Sequence, residues 1–147
     1  KLEQKYFLNK FYCPKLSSYF PFAIKKLVNT SIDISDGLIT DMYKLINNQK
    51  FSFIIDVEKI PTSKQFHRIL INNNKSILDY LFNGDDYQIL FTADKSKRKQ
   101  ISQISKKLKS KITRIGKINN VNKKNLVIFK GNSLNLSKYQ GYSHKFS

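Results

Sequence analysis

Between Thr30 and Ile46 the apolar residues change their spacing once, and that change restricts the fold more than any other feature of the chain. Ile32 and Ile34 are two positions apart, which sets them on one face of a strand with Asp33 and Ser35 on the other. From Leu38 onward the interval lengthens, and Leu38, Met42, Leu45 and Ile46 share one face of a helix over 37–47. Gly37 stands where the strand breaks and the helix begins.

The same alternation runs along the rest of the chain. A helix is expected over 2–11, stopped by Tyr12-Cys13-Pro14, and another over 18–28 with Pro21 near its first turn. A strand over 51–57 ends before Pro61, and a helix follows over 64–82, which Asn72-Asn73-Asn74 can split. A third strand is expected over 87–93. Ile101, Ile104 and Leu108 mark a lysine-rich helix over 95–109. Two further strands, 112–118 and 126–129, are expected to pair as a hairpin across 119–124. Helices and strands in alternation predict an α/β (α+β) sandwich in which helices pack on a mixed β-sheet. With no repeat and no Gly/Pro/Ser linker to divide it, 1–147 reads as a single domain.

A hydrophobic fraction of 40% and an aromatic fraction of 13% suffice for a core and exclude global disorder. The single cysteine, Cys13, excludes an intramolecular disulfide, lacks a Cys-x-x-Cys partner for metal binding, and is expected to be a small buried hydrophobe. No apolar run is long enough to cross a bilayer and no secretory pattern opens the sequence, so no membrane partner is expected and the cytoplasm is the expected compartment. The opening Lys1-Leu2-Glu3-Gln4 has no start methionine and reads as the interior of a longer protein.

The net charge of +17 is unevenly spread. Of the 27 Lys and Arg, 12 lie in residues 1–94 beside all 10 acids, and the other 15 lie in 95–147 without a single acid. Such a field attracts polyanions, so a basic RNA-binding module is one alternative function. The lysines nevertheless come with many asparagines and isoleucines, the usage of an AT-rich genome, and no aromatic–basic interleaving is present. Both features argue against specific nucleic-acid binding.

Three polar constellations could carry chemistry. In Ile32-Asp33-Ile34-Ser35-Asp36-Gly37-Leu38 two carboxylates and a hydroxyl crowd a strand-to-helix turn, a donor set that suits a hard cation such as Mg²⁺ and the phosphates it accompanies. Ser35 or Asp36 could instead cap the following helix. Asp33, flanked by isoleucines in a strand, calls for a ligand or a partner. In Asn83-Gly84-Asp85-Asp86-Tyr87 adjacent acids precede a strand, where acids commonly act as solvated turn-formers. Gly141-Tyr142-Ser143-His144 could stack on a heterocycle or pin the tail to the core. His67, beside Phe66 and Ile69, reads as structural.

Together these segments resemble thiamine-monophosphate kinase, of the superfamily that includes aminoimidazole ribonucleotide synthetase and selenophosphate synthetase. The family's Ile-Asp-Ile-Ser-Asp-Gly-Leu, followed two residues later by Asp-Leu, stands here as Ile32 to Leu38 and Asp41-Met42. Its Gly-Glu-Asp-Tyr-Glu-Leu-Leu-Phe-Thr is similar to Gly84-Asp85-Asp86-Tyr87-Gln88-Ile89-Leu90-Phe91-Thr92. Its Ile-Gly-Arg-Ile strand resembles Ile115-Gly116-Lys117-Ile118, its Tyr-x-Pro segment Tyr12-Cys13-Pro14, and its terminal Gly-aromatic-x-His-Phe the run from Gly141 to His144, with Lys145 inserted before Phe146.

The resemblance implies a fold like the C-terminal domain of aminoimidazole ribonucleotide synthetase and a role as the C-terminal domain of a longer kinase. It implies transfer of the γ-phosphoryl group of ATP to thiamine monophosphate, with Asp33 and Asp36 binding Mg²⁺ and Ser35 contacting ATP. Asp85 would contact the thiamine substrate and Tyr142 would lie near its ring. No side-chain nucleophile is needed, because phosphoryl transfer is mainly positioning and charge neutralisation. An N-terminal domain would supply further metal ligands, nucleotide contacts and a homodimer interface, so the chain alone is expected to be inactive. Another kinase or synthetase of the superfamily is the alternative enzyme reading. The chain departs from the family at Asp85, one methylene shorter than glutamate, at Gln88, which removes a charge, and at Asn83, which replaces a glycine.

Overall fold

A computed structural model describes residues 2–13, 19–47, 49–85, 87–120 and 124–135. Among the described residues five α-helices and six strands follow in the order α1 (Leu2–Tyr12), α2 (Tyr19–Ile24), β1 (Thr30–Asp33), α3 (Leu38–Ile46), β2 (Ser52–Asp56), α4 (Lys64–Asn72), β3 (Ile89–Thr92), α5 (Arg98–Lys107), β4 (Gly116–Asn119), β5 (Leu126–Phe129) and β6 (Asn132–Ser133). Short 3-10 turns at Val57–Lys59, Ile77–Tyr80 and Lys95–Lys97 link them.

The strands form two sheets. β1 and β3 make an antiparallel ladder in which Asp33 faces Ile89 and Ile32 faces Leu90. The other four strands stand in the order β4-β2-β5-β6, with β2 antiparallel to β4 and parallel to β5. This sheet is mixed, as the sequence predicts, but β4 and β5 do not form the expected hairpin. β2 lies between them. The reason is burial: Phe53 and Ile55 make β2 the most enclosed strand, and a central position covers both of its edges.

The core gathers around α3. Its Leu38, Ile39, Met42, Leu45 and Ile46 pack with Phe53, Ile55 and Val127 of the mixed sheet, with Val57 of the turn that follows β2, and with Leu90 of the ladder. Tyr43 meets the Phe53 ring edge-on at 5.2 Å, a favoured aromatic geometry. Packing α3 against strands of both sheets fixes its N-terminus beside the end of β1, which is where the motif residues lie. Elsewhere the expected 64–82 helix is indeed split: it stops at Asn72, Asn74 adopts a left-handed φ of 49°, and Ser76 caps the next turn through a reciprocal bond with Asp79. Cys13 corrects an expectation, for it is exposed one residue beyond α1.

Candidate functional site

Two motifs separated by some fifty positions in the chain are laced together by backbone hydrogen bonds. Beyond the last ladder pair, Ile34 N–H donates to the Gln88 carbonyl at 2.9 Å and Tyr87 N–H donates back to the Ile34 carbonyl at 2.9 Å. One step further, Asp85 N–H donates to the Ser35 carbonyl at 3.0 Å. The approach is too close for side chains. A Cβ on Gly84 would lie 1.8 Å from the Ser35 carbonyl oxygen, and one on Gly37 would lie 2.6 Å from the backbone of Phe82. Gly37 also has a φ of 111°, which only glycine adopts without strain. Both glycines are thus required by the meeting of the two loops.

A third carboxylate, from α3, holds the first loop from inside. Asp41 is fully buried, and its Oδ2 accepts the N–H groups of Ser35 and Asp36, each at 2.9 Å. Its Oδ1 accepts the Lys44 ammonium at 3.0 Å, and the same ammonium reaches the Asp36 carboxylate. Hydrogen bonds to Asp36 and then to Asp41 raise the Lys44 pKa above its ordinary value. The charge-assisted bonds make the loop conformation a property of the helix it precedes. The residue at the helix N-cap position is Gly37, which has no side chain to offer, and the loop N–H groups are instead taken by Asp41.

The structure places the other candidate residues around this loop. Asp33 is the last residue of β1 and is exposed. Ser35 and Asp36 are half-buried. Asp85 is exposed, with a left-handed φ of 65°, and accepts a hydrogen bond from the Tyr87 hydroxyl at 3.1 Å. Tyr87 is itself left-handed, at φ 49°, a conformation uncommon for non-glycine residues and costly for a bulky aromatic. Its phenol pKa is raised by the hydrogen bond to Asp85, by the Asp85 charge, by desolvation and by the charge of Asp33. Asp33, Asp85 and Tyr87 therefore share one electrostatic neighbourhood. Asp86 and Tyr142 lie outside the described residues. His67 forms a local contact with Thr62 at 2.6 Å, in keeping with a structural role.

The sequence reading named Asp41 only as part of a motif and gave no part to Lys44 or to the Tyr87 hydroxyl. For Asp41 a signal existed. It falls three residues after Leu38 and four before Leu45, an acid inside the apolar stripe of α3. An acid on a buried face must have partners.

No family model matches the chain. The thiamine-monophosphate kinase of Buchnera aphidicola subsp. Acyrthosiphon pisum is 32% identical over 125 residues, which cover 83% of this chain and 37% of that protein. Over most of its length the chain is similar to thiamine-monophosphate kinases. The Aquifex aeolicus thiamine-monophosphate kinase is 39% identical over 75 residues, covering 50% of this chain and 24% of the relative. Among solved structures, AaThiL complexed with AMPPCP and TMP matches with a TM-score of 0.72 at 26% identity, over 91% of this chain and 40% of that one. The thiamine-monophosphate kinase from Stenotrophomonas maltophilia K279a matches in fold with a TM-score of 0.75 at 22% identity, over 90% of this chain and 41% of its own. The chain thus spans well under half the length of the thiamine-monophosphate kinases it matches.

The resemblance implies Mg²⁺ at Asp33 and Asp36, and the donors fit that ion. They are hard carboxylate oxygens, and the Asp36 carboxylate already holds a cation, the Lys44 ammonium. Among the described residues no three acidic, histidine or cysteine side chains form a complete metal-binding cluster. Mg²⁺ does not require one, since it is commonly held by one or two carboxylates together with substrate phosphates.

Proposed function

We propose that this chain forms one wall of an active site that transfers the γ-phosphoryl group of ATP to the phosphate of thiamine monophosphate. A phosphate oxygen of the acceptor bonds to the γ-phosphorus as the bond to the β–γ bridging oxygen breaks, giving thiamine diphosphate and ADP. The observation that carries this reading is the lacing of the Asp33–Gly37 loop to the Gly84–Tyr87 loop through the Ser35 carbonyl. It puts the residues assigned to metal and nucleotide beside the residue assigned to the acceptor.

In this reading Asp33 and Asp36 hold Mg²⁺, which when bound neutralises charge on the transferring phosphates. Ser35 contacts ATP from a backbone that Asp41 fixes. Asp85 orients the thiamine substrate, and the Tyr87 hydroxyl orients Asp85. Tyr142 contributes the aromatic contact to the thiamine ring. A further, N-terminal domain completes the site and the homodimer, the chain alone does not turn over, and the reaction takes place in the cytoplasm.

The test uses the protein that carries this chain. Asp33→Asn should lower kcat for thiamine diphosphate formation by about 100-fold or more, because several kcal/mol of transition-state charge stabilisation is lost. The exposed position of Asp33 means that Tm should stay near the wild-type value. Full turnover by Asp33→Asn and Asp36→Asn at limiting Mg²⁺ rejects the metal assignment.

A further inference from the structure

We infer that the Lys44 ammonium is the resident counter-ion of Asp36 and gives up that carboxylate when a divalent cation loads, so that Lys44 sets how tightly the loop takes its metal. The inference rests on the reading of Asp36 as a metal ligand. It starts from an asymmetry in the ion pair. Lys44 holds two carboxylates, of which Asp41 is fully buried and fixed by two backbone N–H groups, while the Asp36 side chain is 24% exposed on the loop.

The ammonium can therefore leave Asp36 without leaving Asp41. The buried Asp41 charge stays compensated throughout, which matters because an uncompensated buried charge is strongly destabilising. A lysine tied to Asp36 alone would have no such second partner. The Lys44 side chain is 45% exposed, so its stem is free to swing while its head keeps the 3.0 Å contact with Asp41. An ammonium and a divalent cation cannot both take the same face of one carboxylate at contact distance, so binding of one is competition with the other. The arrangement offsets part of the negative charge of Asp36 and Asp41 before metal arrives and makes metal affinity lower than the carboxylates alone would give.

The test measures Mn²⁺ binding, from the spin-resonance signal of the free ion, in the protein that carries this chain. The relevant component is the binding that Asp36→Asn removes. Lys44→Met should tighten that component about tenfold, equivalent to one charge-assisted hydrogen bond that no longer competes. Lys44→Arg should leave it unchanged or weaken it, because the guanidinium fork holds a carboxylate at least as firmly. Lys59→Met removes an equal charge from a separate Asp–Lys pair and should have no effect. Unchanged or weakened binding in Lys44→Met overturns the exchange, as does equal tightening in Lys59→Met. Should Lys44→Met fail to fold, tighter binding in Lys44→Arg overturns it and weaker binding supports it. If Asp36→Asn binds Mn²⁺ as the wild type does, the metal reading itself fails, a result distinct from the others.

Discussion

The two sheets of this chain are held together in different ways. In the four-stranded sheet apolar burial dominates: Phe53 and Val127 are fully buried and Ile55 is 1% exposed, while positive φ is confined to the β5–β6 turn at Lys130 and Gly131 and one close backbone approach, at Gly116, joins β4 to β2. In the β1–β3 ladder Leu90 is buried, but Ile89 and Asp33 face solvent, and the loops beyond it hold Gly37, Asp85 and Tyr87 at positive φ. There the backbone is fixed by close approach at two glycines and by the Asp41 carboxylate. Apolar burial gives stability that tolerates small shifts, whereas polar and steric fixing gives position. A site that must align phosphates needs position. Changes in the mixed sheet should therefore cost folding, and changes at the ladder end should cost chemistry.

The largest expected effect tests the first half of that contrast. Phe53→Ala removes a fully buried ring that packs against Tyr43, and should cost about 3–5 kcal/mol in urea unfolding. At temperatures where the variant remains folded, its KM values should match the wild type. A large KM change in folded protein would show that the two regions are not separable. Asp41→Ala comes next and tests the exception, a residue that serves both regions. It orphans two N–H groups and the inner half of the Lys44 pair, for a loss of about 3 kcal/mol. Turnover should fall with it, measured below the melting transition. Asp41→Asn keeps an acceptor for the N–H groups and should recover more stability than activity.

Much of this contrast was legible in the residues. The change of apolar period at Gly37 gave the strand, the turn and the helix to within a residue or two, because burial of one face imposes its period directly. The Asp33–Asp36 turn stood out through Asp33, a carboxylate flanked by isoleucines in a strand, whereas Ser35 and Asp36 could also be read as caps of the following helix. The pairing of β4 and β5 was misread, since a turn-like stretch between two strands favours a hairpin locally while the choice of partner depends on which strand is most buried. The meeting of the two loops could not be derived from spacing. It depends on Gly84 fitting against the Ser35 carbonyl, a tertiary contact that leaves no periodic trace.

That contact gives the third prediction, intermediate in size. Gly84→Ala sets a methyl group where the Ser35 carbonyl oxygen lies, so the loops must part. Overpacking of this kind should cost about 1–3 kcal/mol. Because the displacement falls on the lacing itself, kcat/KM should drop by more than the stability loss alone explains at a temperature where the variant is folded. If the catalytic loss tracks the folded fraction and nothing else, the lacing is structural and the convergence of the two loops carries no functional weight.

The smallest effect is expected at the far side of the same contrast. Asp56, at the end of β2, pairs with Lys59 three residues on, the same spacing as Asp41 and Lys44. The surroundings differ. Asp56 keeps its side chain partly in solvent and also accepts Glu58 N–H at 3.2 Å to cap a short turn. Its pKa lies below the ordinary value of 3.8, chiefly through the hydrogen bond from Lys59. A carboxylate whose folded pKa is lowered stabilises the fold above its unfolded value, and that contribution is lost as pH falls through the folded value. The stability difference between wild type and Lys59→Met should therefore be small and constant at neutral pH, and should vanish only once pH falls well below 3.8. Solvent screening keeps it small, as for surface pairs generally, and added salt should shrink it further. Thermal unfolding at neutral and acidic pH, with and without salt, measures this. A deficit in Lys59→Met as large as that of Lys44→Met would mean that neither the burial of Asp41 nor the second carboxylate held by Lys44 is what gives the Asp41 pair its strength.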